Sequence, residues 1–198
     1  MNLKLGFNRL KRLPESIGNL ASLENLELQE NNLTSLPKSI GNLCSLLELN
    51  LRSNNLSKLP NSVARMDKLE KLSIRNNKFI EFPTFICNIL RIISIDIVFN
   101  RIEYLPDCIG DLISLKELNL KNNKIKEVPD SIGNLKNLRK FNLDNNSLAT
   151  LPDSTGNLTS LESLSLIGNK ITTLPRSMFH LRRVISTDKF RLIRKNWK

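Results

Sequence analysis

Leucine and isoleucine recur along this chain at fixed distances. One stretch reads Leu23-x-x-Leu26-x-Leu28-x-x-Asn31-x-Leu33-x-x-Leu36-Pro37-x-x-Ile40-x-x-Leu43, and the same frame begins again at Leu46, Leu69, Ile92, Leu115, Leu138 and Leu161. Leu26 and Leu28 alternate with polar residues, the period-two pattern of a strand with one buried face. Ile40 and Leu43 follow three apart, as a short 3₁₀ or helical piece requires. Asn occurs at 8, 31, 54, 77, 100, 123, 146 and 169, and Pro at 14, 37, 60, 83, 106, 129, 152 and 175, each series advancing by one constant step. The asparagines are expected to close the strands. An amide both donates and accepts, so it satisfies backbone groups where the chain turns inward, and stacked amides form a ladder. Proline stops the strand and suits the first position of a short helical turn. Gly18, Gly41, Gly110, Gly133 and Gly156 allow tight backbone on the return path.

A unit this short cannot bury its own apolar face, so consecutive units must stack, about 4.8 Å apart, over a continuous Leu/Ile core. The expected architecture is a curved α/β solenoid, with a parallel β-sheet on the concave face and short 3₁₀ or helical turns and loops on the convex face. Residues 1–183 supply eight such turns, all of one length except the first, which is cut short near Leu3. Residues 184–198 lose the pattern, with Thr187 and Lys189 where leucines should stand. This segment is a basic tail, or else Phe190, Leu192, Ile193 and Trp197 fold over the last turn as an improvised cap.

Leu36-Pro37-Lys38-Ser39-Ile40-Gly41-Asn42-Leu43 and Val128-Pro129-Asp130-Ser131-Ile132-Gly133-Asn134-Leu135 carry the frame most clearly. Through these segments the chain resembles the 23-residue leucine-rich repeats of bacterial proteins and of intracellular Ras-associated scaffolds in plants and animals. The resemblance implies a right-handed horseshoe that serves as a protein-interaction module. It does not name the partner, because such proteins share a scaffold and differ in what they hold.

Charge changes the picture at one place. The chain carries a net +11, but Arg182 to Lys198 alone holds seven basic residues and one acid. Docking of this tail to an anionic membrane surface or to nucleic acid is therefore an alternative function. No apolar run is long enough to span a bilayer, and the N-terminus lacks a secretory h-region. Cys44, Cys87 and Cys108 show no metal or disulfide-framework spacing and read as free thiols. Together these features favour a cytoplasmic location and leave a secreted or surface-exposed one open. The N-x-S/T matches at Asn32, Asn55, Asn145 and Asn157 follow from the repeat frame.

Catalysis finds little support. His180 lies in the eighth turn and Cys108 in the fifth, three stacking steps or about 14 Å apart, too far for a dyad. Asp96 and Glu117 fall on adjacent strands among basic residues, an ion-pair surface rather than an acid–base pair. No phosphate-binding loop occurs. The chain is thus expected to be no enzyme and to need no cofactor or metal.

Candidate binding residues are those that break the repeat. Outward positions just past the strands are mostly polar, but Val98 and Phe99 interrupt them where neighbouring turns have Arg75, Lys121, Asn76 and Asn122. With Asp96 beside them and Arg52, Arg75, Arg101, Lys121 and Lys124 around them, they make an apolar centre with a cationic rim, as in a protein-binding hot spot. The other reading has Phe99 tucked toward the core. Off the sheet, Leu90, Ile93 and Ile113 replace the charged residues of other turns, and Phe85 lies nearby. That patch suits self-association or a partner, or else a locally thicker core. The ends of the array are a second place for self-association.

Overall fold

The computed structural model describes residues 1–186. Among these, nine strands form one parallel sheet in chain order: β1 Asn2–Lys4, β2 Asn25–Glu27, β3 Glu48–Asn50, β4 Lys71–Ser73, β5 Ser94–Asp96, β6 Glu117–Asn119, β7 Lys140–Asn142, β8 Ser163–Ser165 and β9 Ile185–Ser186. From β1 to β8 the register steps by the full repeat, so that Leu26 lies on Leu49 and Ile95 on Leu118. The middle residue of each of these strands points into a continuous Leu/Ile core, fully covered from Leu23 onward.

Convex turns of 3₁₀ geometry run at Glu15–Asn19, Lys38–Asn42, Asn61–Arg65, Thr84–Asn88, Asp107–Asp111, Asp130–Asn134, Asp153–Asn157 and Arg176–Arg183. The prolines stand one residue earlier than expected. Pro37 is extended, with φ −67° and ψ 154°, and precedes the turn. Its carbonyl accepts the first bond, from Ile40 N at 3.1 Å. A residue without an N–H loses nothing there, and its fixed φ ends the preceding extended segment.

The asparagine ladder forms as the amide chemistry demands. Asn77 Nδ2 donates to Ile74 O (3.1 Å) in its own turn and to Leu51 O (2.9 Å) in the previous one. Its Oδ1 accepts from Leu56 N at 2.9 Å. Each interior amide so ties two turns together and leaves no buried group of that corner unpaired. Asn8, in the first described turn, bonds only within its own turn and is exposed.

The residue just before each ladder asparagine is left-handed. Phe7, Glu30, Ser53, Asn76, Phe99, Asn122 and Asn145 have φ between 52° and 58°, and Gly168 has 73°. Asn and Gly tolerate this region, whereas a bulky side chain is strained in it.

On the convex face each repeat glycine presses against a serine of the next turn. A Cβ on Gly41 would be driven into Ser62 O, and one on Gly133 would lie 2.5 Å from Ser154 O. In the middle of the array that rule lapses. Ala64 stands opposite Phe85, and Cys87 opposite Cys108, in the same relation. The two cysteines are bonded, with Cα atoms 5.8 Å apart. The expectation of three free thiols is therefore corrected: only Cys44 is free. The spacing matches no disulfide framework read along the chain. It becomes a contact only because one turn stacks on the next, and the bond removes one argument for a reducing compartment.

Past residue 183, where the repeat array is expected to end, one more short strand follows. β9 pairs with β8 and places Ile185 beside Leu164, a shorter step than the full repeat. Ile185 is buried and fills the core position expected of residue 187. The proposed capping residues Phe190, Leu192, Ile193 and Trp197, and the basic residues from Lys189 on, lie outside the described residues. No helix among the described residues is long and apolar enough to cross a membrane.

Candidate binding face

Strand alternation turns Asp96 outward from β5, and the chain then bends through Val98 and Phe99 into the ladder at Asn100. Phe99 is half exposed, at 50%, with φ 56°, so it does not tuck into the core. The Arg75 guanidinium lies over its ring, 5.7 Å from the centroid. Val98 corrects the expectation. It is buried, at 2% exposure, yet stands outside the continuous leucine core. β5 ends at Asp96, so period-two alternation no longer applies at residue 98. Val98 is a short side chain whose equivalents in the turns on either side are the long Arg75 and Lys121. The exposed apolar centre is thus Phe99 alone.

Asp96 Oδ1 accepts from Val98 N at 3.1 Å and fixes that bend. Asn50 and Asn142 do the same for Arg52 N (3.1 Å) and Asp144 N (2.9 Å). Burial pushes the Asp96 carboxyl above its ordinary range, against the Val98 N–H and the charges of Arg75 and Arg52, which favour the anion. Lys121 reaches Asp144 at 3.7 Å, and Arg52 reaches Glu30 at 3.7 Å. Arg101 and Lys124 are exposed.

Asp96 and Glu117 are not partners. The register sets Asp96 beside Asn119, and Glu117 Oε1 takes Lys140 Nζ at 2.8 Å. Similar pairs link neighbouring turns at Lys71–Glu48 (2.5 Å) and Lys126–Glu103 (2.6 Å). His180 is exposed, and Cys108 is taken up by its disulfide.

The flank residues divide. Leu90 and Ile113 stack in successive turns at 58% and 60% exposure. Ile93 is half-buried, and Phe85 packs against the core. Phe85 thus belongs to the edge of the core, whereas Leu90 and Ile113 are surface.

Sequence reading missed Lys78. It occupies the position of Arg101 and Lys124 one turn earlier, and aligning the turns on their asparagines exposes the column.

A family model described as a leucine-rich repeat region matches residues 2–87 and 83–184. A leucine-rich repeat protein of Leptospira interrogans is similar in structure, with TM-score 0.75 and 31% identity over 93% of this chain and 55% of that one. The ectodomain of the Arabidopsis thaliana receptor kinase GASSHO1/SCHENGEN3, solved in complex with Casparian strip integrity factor 2, aligns with TM-score 0.75 and 27% identity over 94% of this chain and 26% of that one. A Listeria monocytogenes internalin shares the fold, with TM-score 0.79 and 22% identity over 94% of this chain and 60% of that one. The chain thus spans about half the length of the first of these proteins, or less in the receptor. Comparison with curated proteins gives no match. The constant repeat frame, the in-register parallel sheet and the family match agree, and the chain belongs to the leucine-rich repeat proteins.

Proposed function

We propose that the chain is a non-catalytic scaffold that holds a protein partner against its concave face around Phe99. The observation that carries this reading is the conformation of that residue. Phe99 stands half exposed in left-handed backbone, as Phe7 does at the end of the array, but within the array, where the turns on either side use Asn76 and Asn122. Such a residue costs on the order of 1 kcal/mol, and strain of this kind gathers at ligand clamps. Arg75 over the ring, Asp96 fixing the bend, Val98 beneath, and Arg52, Arg101, Lys121 and Lys124 around them make an aromatic anchor with a charged rim. The complex of the Arabidopsis receptor ectodomain with its factor supports a protein ligand for this scaffold.

Phe99→Asn tests the reading, since it installs the residue of both neighbouring turns. Peptides selected from a displayed random library on the full chain should lose at least about tenfold affinity for the variant, as truncation of an anchor does. The melting temperature of the variant should be no lower than that of the parent. Ligands that bind both forms equally, and protect amides of the convex turns instead, would overturn the proposal.

A further inference from the structure

Two residues past Phe99 in the frame runs a column without a single acid, from Arg9 to Lys170. In three successive turns it holds Lys78, Arg101 and Lys124, all exposed. Their backbones are pinned in register, by Lys78 N to Leu56 O (2.8 Å), Arg101 N to Phe79 O (2.8 Å) and Lys124 N to Ile102 O (2.9 Å). No carboxylate among the described residues pairs with any of the three side chains. By contrast, Lys71, Lys126, Arg139 and Lys140 each meet a glutamate of the adjacent turn. Three like charges one stacking step apart, about 5 Å, repel one another; Glu103 attracts Lys124 from a distance, but its ion pair is with Lys126.

We infer that the partner segment held beside Phe99 is an extended, acidic peptide whose carboxylates lie along Lys78, Arg101 and Lys124. The inference rests on the concave-face reading above and names the chemistry of its ligand. Alternate side chains of an extended peptide project about 6.6 Å apart, so carboxylates at every second residue meet the column within reach of its long side chains. Arg75, over the Phe99 ring, adds a fourth cation at the rim. The amides on both sides of Phe99 suit a peptide backbone. Asn76 engages its Nδ2 with Ser53 Oγ (3.1 Å), with its Oδ1 facing no donor among the described residues. Asn122 engages its Oδ1 with Asn145 Nδ2 (2.7 Å) and keeps its own N–H groups. One acceptor and one donor flank a single ring. A single-stranded nucleic acid would call instead for a series of stacking rings along a longer cationic track.

The test uses the full chain and a displayed library of random dodecapeptides. Recovered ligands should carry net negative charge and bind more weakly as salt rises. Lys78→Gln/Arg101→Gln/Lys124→Gln should lower the affinity of the best ligand about thirtyfold. Lys38→Gln/Lys68→Gln/Arg91→Gln, which removes the same charge elsewhere, should change it less than about twofold. All six positions are at the surface, so both variants keep the fold, which circular dichroism checks. Neutral or basic ligands, a column variant that binds as the parent does, or a control variant that loses as much would each overturn the inference. So would oligothymidylate that binds the parent more tightly than the best peptide and is lost in the column variant. If Phe99→Asn abolishes binding while the column variant does not, the acidic-ligand inference fails and the concave-face reading stands. If neither variant affects binding, the concave-face reading itself fails.

Discussion

Turns four and five, residues 69–114, carry the same backbone as the turns that flank them. Asn100 Nδ2 reaches Ile74 O and Ile97 O at 3.0 and 3.1 Å, and Asn54 reaches Leu28 O and Leu51 O at 2.9 and 3.0 Å. Their surfaces differ throughout. The flanking turns pack glycine on serine at the convex side, where the central pair has Cys87 on Cys108. The adjacent flanking turns put Ser53 and Asn122 in the left-handed column, and the central pair puts Phe99 there beside Asn76. Leu90 and Ile113 replace Asp67 and Lys136 on the flank. Departures on three sides of the solenoid fall in the same two turns. A scaffold whose ladder is blind to outward side chains can be altered there without loss of fold, so the exceptions report on what the surface meets.

The largest test concerns that indifference. Asn100→Ala strands two carbonyls and the Phe79 N–H, which Asn100 Oδ1 accepts at 3.1 Å. It should cost about 3–5 kcal/mol in chemical denaturation. Asn54→Ala should cost the same, and Asn8→Ala less than about 1 kcal/mol, because that end of the ladder is open to water. Unequal losses at 54 and 100 would mean that the central turns differ in backbone as well as surface.

Next in size is the cross-link. Reduction of the parent should lower its stability by about 3 kcal/mol, as for other loops of this length. Cys87→Gly/Cys108→Ser restores the pairing of the flanking turns and should be insensitive to reductant. Thiol titration of the unreduced parent should find Cys44 alone.

Thr155 tests the flanking turns from within. It is fully buried where other turns have Ile132 or Ile109, and its hydroxyl has no hydrogen-bond partner. Thr155→Val should raise stability by about 1 kcal/mol, read as a higher denaturation midpoint.

The smallest effect is at Asp96. Burial raises its carboxyl pKa, so the folded chain holds that proton more tightly than the unfolded chain does. The group therefore costs stability above its folded pKa, and the cost fades as pH falls through that value to the unfolded one. Asp96→Asn keeps the acceptor for Val98 N, as Asn50 and Asn142 do in their turns. The variant should melt slightly higher than the parent at neutral pH and equal it at strongly acidic pH. A lower melting temperature at neutral pH would show that Arg75 and Arg52 outweigh burial.

The scaffold was legible because its rules are local and repeated. An apolar residue at nearly every core position, an amide at every corner and a proline before every convex turn leave one way to stack. The site was less legible because it depends on neighbours in the adjoining turns, close in the stack and distant along the chain. Val98 reads as outward by alternation and is buried, because the strand has already ended. Cys87 and Cys108 read as unrelated and are bonded, because the convex contact runs at a sequence separation of 21, shorter than the repeat itself. The left-handed backbone at Phe99 leaves its trace only in the Asn and Gly of the equivalent turns. Lys78 needed the turns to be aligned before it joined Arg101 and Lys124.

The stitch between Cys87 and Cys108 has a mechanical consequence. A solenoid touches itself only between neighbouring turns, so a pull on one end peels it a turn at a time, each step breaking one rung of strand bonds and one ladder amide. The disulfide closes residues 87–108 into a ring that contains β5 and Phe99. Tension applied at the two ends then travels through the sulfurs and bypasses that loop, which keeps its contour length until the bond is reduced. Under load the molecule should lengthen in increments of one repeat and stop short of full extension by the slack of that one ring.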